Sequence, residues 1–89
     1  MLYMLVRNKV ADYEKWKQIF DSQAEANRAE GLTPAHFWRD AEDRNTVWFV
    51  LKVADIERAK QYINAPDAAE IGRAAGVIDG EVHFIENDE

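Results

Sequence analysis

KVADYEKWKQ occupies residues 9–18, and KVADIERAKQ occupies residues 52–61. Seven of the ten aligned positions are identical, and Lys15 against Arg58 keeps its charge. Each copy follows a short apolar run and opens a stretch of helical periodicity. In the first copy Asp12 is placed to cap a helix by accepting backbone N–H groups of the first turn. Glu14 adds negative charge where the helix dipole favours it. Tyr13, Trp16, Phe20 and Ala24 then recur at spacings of three and four, with Ile19 beside them, as one apolar stripe. Gly31 is a natural stop. In the second copy Asp55 repeats the role of Asp12, and Ile56, Ala59, Tyr62 and Ile63 form the stripe until Pro66 interrupts it. Capping alone explains the shared Asp and Glu. It explains the matches Lys9/Lys52, Val10/Val53 and Gln18/Gln61 less easily.

Working outward, Leu2 to Arg7 is short, apolar and free of Gly and Pro, which predicts a strand. Ala35 to Arg39, after Pro34, predicts a second. Asp40 to Asn45 is a polar turn, and Thr46 to Val53 is the strongest strand signal in the chain. Asp67 is placed to cap a short helix through Ala75, ended by Gly76. Asp79-Gly80 predicts a turn, Glu81 to Glu86 a last strand, and Asn87-Asp88-Glu89 a frayed acidic tail. The order is strand, helix, strand, strand, helix, strand. Two similar halves related by a pseudo-twofold axis predict an α+β, ferredoxin-like βαββαβ sandwich: a four-stranded antiparallel sheet with its helices on one face.

The 89 residues suit one domain, 1–89. A hydrophobic fraction of 47%, with three Trp, three Tyr and four Phe, is too apolar for a disordered chain. With no cysteine, neither a disulfide framework nor a thiolate site is available, which fits a reducing cytoplasm. The first residues lack the basic start and long apolar run of a signal peptide, and no stretch approaches a membrane span. A net charge of −6 without a basic patch makes nucleic acid and anionic membrane poor partners. The expected location is cytoplasmic.

Strand alternation sorts the side chains by face. Met4 and Val6 fall with Val47, Phe49, Leu51 and Val53 on the face assigned to the helices, and Val82 and Phe84 join them. The opposite face holds Tyr3, Leu5, Arg7, Trp48, Val50, His83 and Ile85, with His36 and Trp38 from the second strand in the favoured register. That face is too apolar and aromatic for water, and the helices cover only one side. A soluble monomer rarely exposes such a patch, so the expected partner is a second copy, sheet against sheet, in a twofold homodimer.

Three stretches carry a family resemblance: VRNKVADYEKWKQIFD, WRDAEDRNTVWFVLKVADIERAKQYINAPD and AAGVIDGEVHFIE. Over almost the whole chain the sequence resembles the dimeric α/β-barrel proteins, near the antibiotic-biosynthesis-monooxygenase-like group and its small single-domain members. The shared features are structural: helix starts, the acidic hairpin, the Pro break and the Gly-Val turn before the last strand. The resemblance implies two ferredoxin-like subunits joined through their sheets. Members include cofactor-independent monooxygenases, haem-degrading enzymes, lactone isomerases and proteins without known activity, so it implies no single reaction. For haem degradation it implies an Asn at the end of the first strand, a Trp in the third and a His on the second-half helix. Asn8 and Trp48 match the first two. The segment IERAKQYINAPDAAEIGRAAG contains no His to ligate iron, so no haem is expected.

His36 and His83 are the only side chains whose ordinary titration lies near neutrality. Each sits in a predicted strand beside an aromatic. One reading makes either a general base that takes a phenolic or α-carbon proton from a small aromatic ligand, whose anion then reacts with O₂ without a cofactor. In that reading His36, His83 and Arg7 are catalytic, Arg7 holding the anion, and Tyr3, Trp38 and Trp48 flank a flat ring. The other reading places the same residues in a dimer interface, with no catalysis and a role in small-ligand binding or protein interaction. No orienting acid is evident beside either histidine, and Arg7 could bridge to an acid across the dimer. No metal spacing such as H-x-x-H occurs, so neither metal nor cofactor is expected.

Overall fold

The computed structural model describes residues 1–88; Glu89, the end of the expected frayed tail, lies outside the described residues. Both Asp-led helix starts form. Asp12 takes an extended conformation (φ −143°, ψ 109°) and accepts from the Lys15 N–H at 3.3 Å. Asp55 takes nearly the same angles (φ −146°, ψ 114°) and accepts from Glu57 and Arg58. The chain runs β1 (Leu2–Val10), α1 (Tyr13–Ser22), α2 (Ala24–Ala29), β2 (Leu32–Arg39), β3 (Thr46–Val53), α3 (Ile56–Asn64), α4 (Pro66–Ala74) and β4 (Val77–Glu86). The four strands form one antiparallel sheet in the order β2-β3-β1-β4, the ferredoxin-like arrangement.

The repeat has a tertiary purpose. Gly31 and Gly76 end the helical part of each half with φ +79° and +80°, the left-handed conformation that a side chain resists. Gly31 accepts from the Ala54 N–H at 3.0 Å, and Gly76 from the Ala11 N–H at 2.9 Å. Each glycine turn is therefore tied to the KVAD corner of the other half. A Cβ at Gly31 would stand 3.1 Å from the Ala54 Cβ, and one at Gly76 3.6 Å from the Ala11 Cβ. Val10 and Val53, at the same corners, are buried. Nothing in the structure explains the matching Lys9/Lys52 and Gln18/Gln61, which are exposed.

Five local expectations need correction. The first helical stretch is two helices, broken at Gln23, where the Ser22 hydroxyl donates to the Ile19 carbonyl at 2.6 Å and competes with the helical ladder. β1 continues past Arg7 to Val10. β2 begins at Leu32 and carries Pro34 inside it, which an edge strand tolerates, with a bulge at Ala35. Asp79-Gly80 is no turn: β4 runs straight through it, pairing with Lys9 and Asn8, and Ile78 is the extra residue of a bulge. Gly80 serves close approach instead, since a Cβ there would stand 2.8 Å from the Asn8 Oδ1. Nor does Asp67 cap the last helix: α4 starts one residue earlier at Pro66, with Ala65 at the cap and no side-chain cap bond, and in that first turn proline's missing N–H costs no helical bond.

The faces of the sheet sort as the alternation predicts. Met4, Val6, Val47, Phe49, Leu51 and Val53 are buried beneath the helices. Trp16, also buried, stacks on Phe20 at 4.8 Å and packs against Phe37 and Phe49, each at 5.8 Å between centroids. Such aromatic contacts contribute ~0.5–1.5 kcal/mol each beyond area burial. His36 and Trp38 pair with Val50 and Trp48, which confirms the favoured register and puts all four on the uncovered face.

Two glycine substitutions separate conformational need from space. Gly31→Ala is expected to lose about 1–3 kcal/mol, from the left-handed φ and the crowding at Ala54. Gly72, inside α4, has an ordinary φ, and a Cβ there meets no atom within 4 Å. Gly72→Ala is expected to gain about 0.5–1 kcal/mol. Urea denaturation of the two variants beside the parent chain checks both signs.

Candidate functional site

Antiparallel register sets the uncovered face in rows. One row reads Trp38, Trp48, Arg7 and Glu81 across β2, β3, β1 and β4, and the next reads His36, Val50, Leu5 and His83. His36 and His83 thus stand on the two edge strands, three strand spacings or about 14 Å apart. The chain by itself does not bring them together. His36 stacks on Trp38, with centroids 5.3 Å apart. His83 has an acidic neighbour, Glu81, whose Oε2 lies 3.3 Å from its Nε2. Alternation held the signal for that contact, because residues 81 and 83 share a face. The guanidinium of Arg7 donates to Asp79 at 3.1 Å and to Glu81 at 3.0 Å, both within the same chain. Tyr3 pairs across to Ile85. Trp38 and Ile85 are 51% and 43% exposed, so this face is uncovered in the single chain.

Hydrogen bonds fix the polar rim. Asp40 accepts from the Trp48 indole N–H at 3.0 Å and from the backbone of Glu42 and Asp43. These bonds, the Trp48 one first, hold its carboxyl below the ordinary carboxylate range. Asp43 is lowered by bonds from the Asn45 backbone and the Thr46 hydroxyl, Asp79 chiefly by Arg7, and Glu81 by His83 and then Arg7.

A concave space lies on the other face of the sheet. A cavity of about 300 Å³ opens between sheet and helices. Its floor is Met4, Val6, Phe49 and Leu51, and α4 contributes Ile71 and Gly72 to its walls. The polar residues that reach it are Asn8, Gln23, Asn27 and Tyr62. A second hollow of about 180 Å³ adjoins it beside Trp16 and Phe20 and shares Asn8, Gln23 and Gly72. The Tyr62 phenol donates to the Asn27 Oδ1 at 2.9 Å. Burial, and then the charge of Glu30, raises the phenol's pKa, so it stays a donor. No histidine, carboxylate, lysine or arginine lines either hollow. None of His36, His83, Arg7, Tyr3, Trp38 and Trp48 does so. Trp48 in particular stands across the sheet from Asn8, so the two do not meet over a haem-sized group. Among the described residues no cluster of three His, Cys, Asp or Glu is arranged to hold a metal, and no helix is long and apolar enough to cross a membrane.

Gln23 and Asn27 had a sequence signal. Spacings of four, three and four carry the stripe from Trp16 and Phe20 to 23 and 27, so two carboxamides sit at core-facing positions where apolar residues are the rule.

No family model and no curated protein matches the sequence. Solved structures do match the fold. A crystal structure of an antibiotic biosynthesis monooxygenase aligns over 100% of both chains at TM-score 0.69 and 14% identity. A variant of SnoaB, a cofactor-independent oxygenase from Streptomyces nogalater, aligns over 99% of this chain and 93% of its own at TM-score 0.75 and 13% identity. A conserved protein from Methanosarcina mazei aligns over 98% and 92% at TM-score 0.73 and 14% identity. The fold is that of the antibiotic biosynthesis monooxygenases. Ferredoxin-like topology and the placement of the helices agree with these proteins over nearly the whole chain.

The lowered carboxyls predict an acid limb of stability. A carboxylate with a depressed folded pKa contributes stability above its unfolded pKa, about 4, and loses it as pH falls through the folded value. The melting temperature is expected to fall steadily below about pH 4. Asp40→Asn should lower it at pH 7 and flatten part of that acid dependence, as read by circular dichroism at stepped pH.

Proposed function

We propose that the protein is one subunit of a homodimeric α/β barrel and a cofactor-independent oxygenase- or isomerase-like enzyme acting on a small aromatic or polyketide-like molecule. The observation that carries this reading is the cavity of about 300 Å³ with apolar walls and a few polar side chains, at the lower end of the range typical of ligand sites. Its occurrence in a fold shared with a cofactor-independent oxygenase supports the choice of chemistry.

Such a reaction asks little of the protein. Apolar walls hold a flat ring, and carboxamide N–H groups hold a ring oxygen as charge develops on it. The substrate supplies its own acidity, and its proton leaves through the open side of the cavity to water. For a ring CH₂ group, carbon loses two hydrogens and gains one atom of O₂, and the other atom leaves with those hydrogens as water.

The uncovered sheet face is assigned to the twin subunit. A standard interface buries ~800 Å² per partner, and Leu5, Trp38, Trp48, Val50 and Ile85 supply apolar area for it. The position of the cavity supports placing His36, His83 and Arg7 in this interface, away from the substrate. One observation favours a second reading, a ligand-binding protein without catalysis: no side chain able to act as a base near neutrality lines the cavity.

Anthrone, a ring ketone with an acidic CH₂, tests both in an oxygen electrode. Uptake of one O₂ per quinone formed, faster than without protein, supports the enzyme; binding without uptake supports the second reading. His36→Ala and His83→Ala are expected to leave turnover unchanged, and loss of turnover with an intact dimer would put a histidine in the chemistry. In sedimentation equilibrium the parent chain is expected to be dimeric and Leu5→Glu monomeric. A monomeric parent at high micromolar concentration would remove the barrel.

A further inference from the structure

Three features of the cavity have no structural reason. Asn8 and Gln23 line both hollows, yet neither side chain has a hydrogen-bond partner among the described residues. Both are half-buried and none of their polar atoms is sealed from water, so they stay free to bond a ligand that enters and displaces it. Gly72 also borders both hollows, where no atom would obstruct a side chain. A glycine inside a helix weakens it, and here neither a left-handed φ nor a close neighbour calls for one. Space has been kept where helix stability alone would fill it.

The Asn8 carboxamide is held from beneath. Its Oδ1 occupies the place where residue 80 would carry a Cβ, so Gly80 lets it lie across β4. Asn27 is oriented from the side by Tyr62, whose phenol takes its Oδ1 and leaves the amide N–H groups to donate. All the polar groups are uncharged. Carboxamides both donate and accept, so they match a carbonyl or hydroxyl. They provide no cation for a carboxylate, and a chain of net charge −6 disfavours one further.

We propose that the cavity selects an uncharged, flat molecule that spans both hollows, with Gln23 and Asn8 reading its carbonyl or hydroxyl oxygen and Gly72 setting its size. This rests on the cavity being the ligand site, and it adds what that ligand must be. Substrate charge, two specificity residues and one size-determining residue are thereby named.

Three probes of matched shape test it by isothermal titration calorimetry at pH 7: 2-naphthol, uncharged; naphthalene, without oxygen; and 2-naphthoate, an anion. The parent chain is expected to bind 2-naphthol about tenfold more tightly than naphthalene, the worth of one or two hydrogen bonds, and 2-naphthoate more weakly than either. Gln23→Leu, close in volume, should bring 2-naphthol toward the affinity of naphthalene and leave naphthalene unchanged. Gly72→Leu should abolish binding of all three with the circular dichroism spectrum retained, and Gly72→Ala should raise the melting temperature and weaken binding. Equal affinity for 2-naphthoate and 2-naphthol overturns the inference and leaves the cavity as a ligand site. So does a Gln23→Leu effect equal on all probes, or undiminished binding in Gly72→Leu. Failure of every probe to bind the parent chain removes the cavity reading and the inference with it.

Discussion

Two corners hold this fold. At each, an Asp-capped helix leaves a strand, and the alanine before the Asp receives the glycine turn that ends the helices of the other half. The Ala11 N–H bonds to Gly76, and the Ala54 N–H bonds to Gly31. A backbone amide at a strand end needs a partner when the helix it precedes cannot supply one. Each half supplies the other's. The alanines are small because a glycine backbone lies against them, and the glycines lack side chains because their φ and the alanines leave no room. The repeated sequence is thus a reciprocal clamp, and it sets where both helical layers begin and end above the sheet.

Once the helices are placed, the sheet has two unlike faces. The face beneath them carries the aromatic cluster around Trp16 and is closed except where α1 gives way to α2. There the stripe changes from apolar residues to Gln23 and Asn27, and the layer thins into a cavity. The other face has no helix at all. Several of its polar groups are paired within the chain: Arg7 with Asp79 and Glu81, Trp48 with Asp40, His83 with Glu81. Its apolar groups remain open. The cavity thus lies on one side of the sheet and the uncovered apolar groups on the other.

Four glycines illustrate how differently the same residue is used. Gly31 and Gly76 answer a backbone requirement. Gly80 answers a packing requirement, the Asn8 side chain lying where its Cβ would be. Gly72 answers neither, and its reason lies in the empty space beside it. Along the sequence the four look alike, apart from their distance from a helix end.

The sequence alone carried the fold class, the strand order implied by the repeat, both Asp caps and the sorting of side chains by face, because periodicity and capping are local and the pseudo-twofold copies them. The facing of the second strand was favoured correctly, with His36 and Trp38 on the uncovered side, but nothing in the sequence pinned its register, which a bulge at Ala35 shifts. Legibility failed where a distant backbone decided the outcome. Asp79-Gly80 has the composition of a turn, but pairing with Lys9 and Asn8 of β1, with the Arg7 bond to Asp79, keeps it extended. Pro34 ends a strand in most contexts and continues one here because β2 is an edge. The candidate site divides between residues the sequence singled out and a cavity it did not. Histidines, arginine and tryptophans announce chemistry by residue type, and they attracted the assignment to the uncovered face. The cavity is made of a helix break, two unpaired carboxamides and a missing side chain, none of which is visible until the helices are laid over the sheet. Residue type is a property of the chain; enclosed volume is a property of how its elements pack.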